Sequence, residues 1–84
     1  MPRYYFHLKD HVNRVLDVQG QVIDDEDEVY RAALKEARAI ISHEALDGSI
    51  NLDQQIEVKD EGGQSIHILS FADAVKIKSA QSSK

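Results

Sequence analysis

Apolar and polar residues alternate through Arg3-Tyr4-Tyr5-Phe6-His7-Leu8-Lys9. The two-residue period predicts a strand with Tyr4, Phe6 and Leu8 on one face and Tyr5, His7 and Lys9 on the other. The first set reads as core. The second places two rings and a lysine on a face that meets water, and a functional surface is most naturally sought there. Asp10-His11-Val12-Asn13 is polar enough to turn the chain, and Arg14 to Val18 reads as a short second strand, giving a candidate hairpin. Gln19-Gly20-Gln21 forms a further turn, and Val22-Ile23 leads into the next element.

The pattern then changes period. Val29, Ala33, Ala37, Ile40 and Ile41 recur at helical spacing, with Tyr30, Leu34 and Ala45 flanking them. Five acids, Asp24 to Glu28, open this stretch, as suits the positive end of a helix dipole. Asp25 is the expected cap, with Glu28 at capping-box spacing and Asp27 as the fallback. Gly48 supplies the stop. The predicted helix has about twenty residues and a length of roughly 30 Å. Arg31, Lys35, Arg38 and Ser42 lie opposite the apolar side, and Asp27 to Arg31 is an acid-first i,i+4 pair. Glu44 falls on the apolar side of the wheel, which implies that the helix edge reaches water there or is ending.

Alternation returns after a polar connector, Ser49 to Gln54, in which Ile50 and Leu52 are the candidate anchors. Gln55 to Lys59 places Ile56 and Val58 inward. Asp60-Glu61-Gly62-Gly63 turns the chain, and Ser65 to Leu69 returns as the partner strand. Ile66 and Ile68 are assigned to the inner face, His67 and Leu69 to the outer. Phe71 to Val75 is expected to close over an edge with Phe71 as anchor. The whole reads as an α+β domain over residues 1–75, a mainly antiparallel sheet of three or four strands in ββαββ order with one long amphipathic helix on one face. Residues 76–84 read as a flexible basic tail.

Composition narrows the possibilities. The chain has 84 residues, 42% of them apolar and 30% charged, which is one ordinary globular domain near the small end of what folds unaided. It contains no cysteine, so packing or oligomerisation must supply what disulfides supply elsewhere. Apolar runs are far shorter than the roughly 20 residues of a membrane span, and no signal-like leader opens the chain, so a cytoplasmic location is expected. Fifteen acidic against ten basic residues give a net charge of −5, which opposes generic adhesion to nucleic acid or anionic lipid.

Three segments together carry a family resemblance: the opening Met1-Pro2-Arg3-Tyr4-Tyr5-Phe6-His7-Leu8, the alanines Ala33 and Ala37 of the helix, and Ile56-Glu57-Val58-Lys59-Asp60-Glu61-Gly62-Gly63. With Phe71, Ala74 and Val75 near the end, the sequence resembles a small bacterial family of uncharacterised proteins over nearly its full length. Asp10 to Asn13 departs from that family's glycine-containing turn. The resemblance implies the fold and carries no functional residue.

Signals for chemistry are sparse. There is no Gly-x-Ser-x-Gly elbow, no phosphate loop and no carboxylate pair placed on facing walls, so an enzyme is not expected. The acidic run lacks the spacing and turn glycine of a calcium loop. His7 and His67, both assigned to the outer face, would lie about 10 Å apart if Gln55–Lys59 neighbours the first strand, too far to share an ion. No metal or other cofactor is expected. The favoured reading is a protein-interaction module, acting as a homodimer or with another protein, with Tyr5, His7, His67 and Leu69 as interface candidates. The alternative is a nucleic-acid-binding or antitoxin-like module. Tyr5 and His7 would then stack bases and Arg31, Lys35 and Arg38 would contact phosphates, and the layout alone is similar to HicB-type antitoxins.

Overall fold

The computed structural model describes residues 2–78. Strand β1 (Arg3–Lys9) runs into β2 (Arg14–Val15) and β3 (Gln21–Val22), followed by helix α1 (Glu26–Leu46), strands β4 (Gln55–Lys59) and β5 (Ser65–Ser70), and the short helix α2 (Phe71–Ala74). The sheet has five strands in the order β2-β1-β4-β5, with β3 also paired to β1. Every pairing is antiparallel. The α+β class is as the periodicity predicts. The strand count is higher because the second strand stops after Val15 and pairing resumes at Gln21, on the same margin of β1.

Helix α1 begins and ends where its chemistry dictates. Asp25 is the N-cap, its carboxylate accepting from the Asp27 N–H at 2.9 Å. Gly48 adopts φ 87° just past the last turn. Glu28 does not complete a capping box; its carboxylate pairs with Arg31, which replaces the expected Asp27–Arg31 pair. Val29, Ala33, Ala37 and Ile41 face the sheet and are buried. They meet Tyr4, Phe6, Ile56, Val58, Leu69, Phe71 and Ala74 in a single core. Alanines at the helix contact let it sit close, and the bulk is supplied from below by Phe71 and Ile56, both essentially without solvent contact.

Glu44 resolves its anomalous wheel position by holding the connector. Its carboxylate accepts from the Asn51 N–H at 3.1 Å and the Gln54 Nε2 at 2.9 Å. Gln54, buried at the foot of β4, also donates to the Asn51 carbonyl, so its amide is paired despite its burial. Leu52 packs against the core as the connector's anchor, while Ile50 is exposed. After β5, Ser70 caps α2, which folds back against α1, and Arg38 Nε donates to the Ala74 carbonyl at 2.7 Å.

The assignment of faces is reversed from His67 to Leu69, whereas Ile66, beside the register shift, packs against the core as expected. Val58 pairs with His67 and Ile56 with Leu69, across a register shift at Val58/Lys59. That register puts His67 and Leu69 on the helix side, with Leu69 only 2% exposed. Ile68, expected inside, lies opposite Glu57 on the uncovered face. Residues 66 to 69 are apolar or aromatic on both parities, so a one-residue offset at the turn decides which pair is buried. Of the expected tail, residues 76–78 are exposed and irregular, and 79–84 lie outside the described residues.

Candidate interaction surface

α1 and α2 lie on one face of the sheet, and among the described residues the opposite face has no covering layer. It presents Tyr5, His7 and Lys9 from β1, Glu57 and Lys59 from β4, and Ile68 from β5. Residues two apart on a strand share a face, and here the rings of Tyr5 and His7 stack, with centroids 6.4 Å apart and planes 9° from parallel. His7 lies opposite Glu57 and Tyr5 opposite Lys59. Lys9 reaches diagonally to Glu57 at 3.5 Å. The Ser65 hydroxyl, followed by the Lys9 and Lys59 ammonium groups, outweighs the opposing effect of burial and holds Glu57 below the ordinary carboxylate range.

Tyr5 and His7 also clasp the segment between β2 and β3. The Asp17 N–H donates to His7 Nδ1 at 3.0 Å. Asp17 Oδ2 in turn accepts from the Phe6 N–H at 3.1 Å, and Oδ1 accepts from Gln19 and Gly20 at 3.2 and 3.0 Å. A carboxylate thus stands where a strand's carbonyl would have paired with Phe6. Partial burial pushes the Asp17 carboxyl upward, but the N–H groups of Gly20, Phe6 and Gln19, aided by His7, outweigh it and lower its pKa. Gly20 sits at φ 69° directly against β1, and a Cβ there would lie 2.8 Å from the Tyr4 carbonyl oxygen and 2.9 Å from the Tyr5 ring. Arg3 Nη1 closes the strap by donating to the Gln19 carbonyl at 2.7 Å.

The sequence missed the Asp17 clasp, although its signal is present. Asp17-x-x-Gly20 has the form of a turn in which an aspartate bonds the backbone two and three residues on. Asp10 does the same toward Val12 and Asn13, which explains how that turn manages without a glycine. Asp60 accepts from the backbone two and four residues on, at Gly62 and Gln64, in the β4–β5 turn.

Of the four interface candidates, Tyr5 and His7 are brought together on the open face, while His67 and Leu69 are on the other side. His67 packs edge-on against Tyr30 of α1, with centroids 5.5 Å apart. His7 and His67 are therefore separated by the sheet itself. Among the described residues no group of three or more His, Asp or Glu is placed to hold a metal ion. The phosphate candidates share one side of α1 but two of them have partners: Arg31 is paired with Glu28, Arg38 is bonded to the Ala74 carbonyl, and Lys35 is exposed. A cleft of about 370 Å³ opens between α1 and the strap, floored by Phe6, Leu8 and Ile56 and flanked by Glu36 and Ile40. Its size is within the range of small-molecule sites, but Asp17, the carboxylate on its strap side, is already committed to backbone N–H groups.

The architecture defines a small α+β domain, an antiparallel sheet with one long helix across a single face and a strapped margin. The chain belongs to the family of the domain of unknown function DUF6894, whose profile matches residues 3–72. It matches no curated protein and no solved structure. The family match spans β1 to the first two residues of α2, including the strap and both sheet margins. Among the described residues, no helix is long and apolar enough to cross a membrane.

Proposed function

We propose that the domain is a non-enzymatic protein-interaction module that works as a homodimer in the cytoplasm. The observation that carries this reading is the second face of the sheet, which no element covers among the described residues although it holds Tyr5, His7 and an Ile68 that is 59% exposed. An antiparallel sheet tolerates one wetted face, but a large aliphatic side chain standing on it gains by being covered. A two-fold dimer is the commonest way for a small domain to cover such a patch. The strap also exposes Val15 and Leu16, but on the helix side beside the cleft, apart from this patch. The nucleic-acid alternative has less support, since two of its three cations are engaged within the chain, on the side of the molecule away from Tyr5 and His7. Size-exclusion chromatography with light scattering tests the proposal: a dimer mass at micromolar concentration is expected, and a strictly monomeric species at high micromolar concentration would sink it.

A further inference from the structure

The two margins of the sheet are finished differently. Along β1 the margin is closed by β2, by the Asp17 carboxylate on Phe6 and by β3, with Ile23 extending the pairing through its N–H to the Pro2 carbonyl at 3.1 Å. At the far margin β5 pairs with β4, and no strand lies beyond it among the described residues. The Phe71 N–H donates back to the Gln54 carbonyl at 2.9 Å, which marks Phe71 as an inward-bonding position. Backbone groups alternate along an antiparallel ladder, so Leu69 also bonds toward β4 and Ile68 turns its N–H and C=O to the open side.

Exposed edges are ordinarily guarded by a charge, a proline or a bulge. β5 reads Ser65-Ile66-His67-Ile68-Leu69-Ser70, with no acid, lysine, arginine or proline. The register shift of the β4–β5 pair lies at Val58/Lys59, beside the turn, and leaves Ile68 to Ser70 regular. α2 turns away from this edge onto α1, in the helical layer. What the margin lacks is a strand.

We propose that β5 is the dimerisation edge: two copies pair β5 against β5, antiparallel, about a two-fold axis beside Ile68, and join their sheets into one. This rests on the homodimer reading and specifies its geometry. A strand paired antiparallel with its own copy satisfies a two-fold axis by construction, so the edge is complementary to itself. Charge is compatible with the same element. Two chains of net charge −5 approach each other most easily where neither carries a charge; of the marginal strands β2 carries Arg14, while β5 and the two-residue β3 carry none, so β5 is the longer uncharged edge. In this register Ile68 and Ile68 of the second copy exchange backbone hydrogen bonds with Cα atoms about 5.5 Å apart, and their exposed side chains cover one another on the open face.

The absence of cysteine makes the test direct. Ile68→Cys places two thiols a few ångströms apart, within reach of a short bis-maleimide, whereas Val18→Cys, more exposed at 84% against 59% but on the opposite margin, does not. Treatment of each variant with that crosslinker, read on a denaturing gel, is expected to convert Ile68→Cys to covalent dimer nearly completely and Val18→Cys only at the collisional level. Ile68→Lys, at an exposed site, is expected to weaken the dimer at least tenfold by light scattering with its circular-dichroism spectrum unchanged. If the wild type is dimeric, yet Ile68→Cys crosslinks no faster than Val18→Cys and Ile68→Lys leaves the dimer intact, the edge assignment is overturned and the homodimer reading stands. A monomeric wild type overturns both.

Discussion

Replacing Asp17 by Asn tests whether one carboxylate does the work of a missing strand segment. The substitution keeps the size of the side chain but replaces one of its two acceptor oxygens by a donor. In the native protein Oδ2 takes the Phe6 N–H and Oδ1 takes those of Gln19 and Gly20. An amide has one acceptor oxygen, so either Phe6 or the Gln19–Gly20 pair loses its partner. Phe6 is only 8% exposed, so its N–H has little access to replacement water. A hydrogen bond to a charged acceptor nets about 1.5–3 kcal/mol, and Asp17 is only partly buried, so the lower half of that range applies, about 2 kcal/mol. For a domain of this length that lowers Tm by roughly 10 °C. Thermal and urea denaturation at one fixed protein concentration, followed by circular dichroism, would measure it. The pH dependence gives a second check. Because the folded pKa of Asp17 is depressed, its contribution is fully present above the unfolded value and is lost as pH falls through the folded one. The gap between wild type and Asp17→Asn therefore narrows toward acid. A difference under about 0.5 kcal/mol at pH 7, within the scatter of ordinary surface substitutions, or a gap that stays constant into the acid range, would refute the clasp.

Further outcomes follow from neighbouring contacts. Gly20→Ala meets both a positive φ and a 2.8 Å approach to the Tyr4 carbonyl oxygen, whereas Gly63→Ala meets only the φ of 84° in open space. The first is expected to cost on the order of 2–3 kcal/mol and the second about 1 kcal/mol, and equal costs by urea denaturation would remove the argument from close approach. In His7→Ala the Asp17 N–H loses its acceptor, so hydrogen exchange at Asp17 should accelerate more than at the β4 amides; uniform acceleration would point to global destabilisation instead. Phe71→Ala empties the largest fully buried position and is expected to cost about 3–5 kcal/mol, a loss readable as a collapse of the urea midpoint.

Much of the fold was legible in the sequence because local chemistry and periodicity agreed. The acidic cap at Asp25, the apolar stripe from Val29 to Ile41 and the stop at Gly48 describe α1 with little displacement. The role of Phe71 was legible as well, whereas the place of Gln55–Lys59 beside β1 was one of two orders the pattern left open. Two things were not legible. Arg14 to Val18 has the composition of a strand, and the break after Val15 depends on Asp17 reaching across to Phe6, a contact between segments that no periodicity encodes. The faces of β5 were reversed at His67, Ile68 and Leu69 because Ile68 competes with Leu69 and Phe71 for the interior, and the contest is decided by one residue at the turn, while Ile66 stays against the core. That offset moved Leu69 into the core, His67 against Tyr30 and Ile68 onto the open face. Tyr5 and His7 were placed correctly, but their engagement with Gly20 and Asp17 was hidden in the tertiary structure.

The pairing of β1 with β4 has a consequence for synthesis. Lys9 and Glu57 are 48 positions apart, and α1 lies between them in the chain. During vectorial translation the first strand emerges with Tyr4, Phe6 and Leu8 and waits for dozens of residues before its permanent neighbour exists. At elongation rates of about 5–20 residues per second this interval lasts seconds, long compared with the formation of a local hairpin. β2, the Asp17 turn and β3 are the pieces that exist in time. On the ribosome, the strap is the nascent strand's first shelter from aggregation, present before the long-range sheet can close.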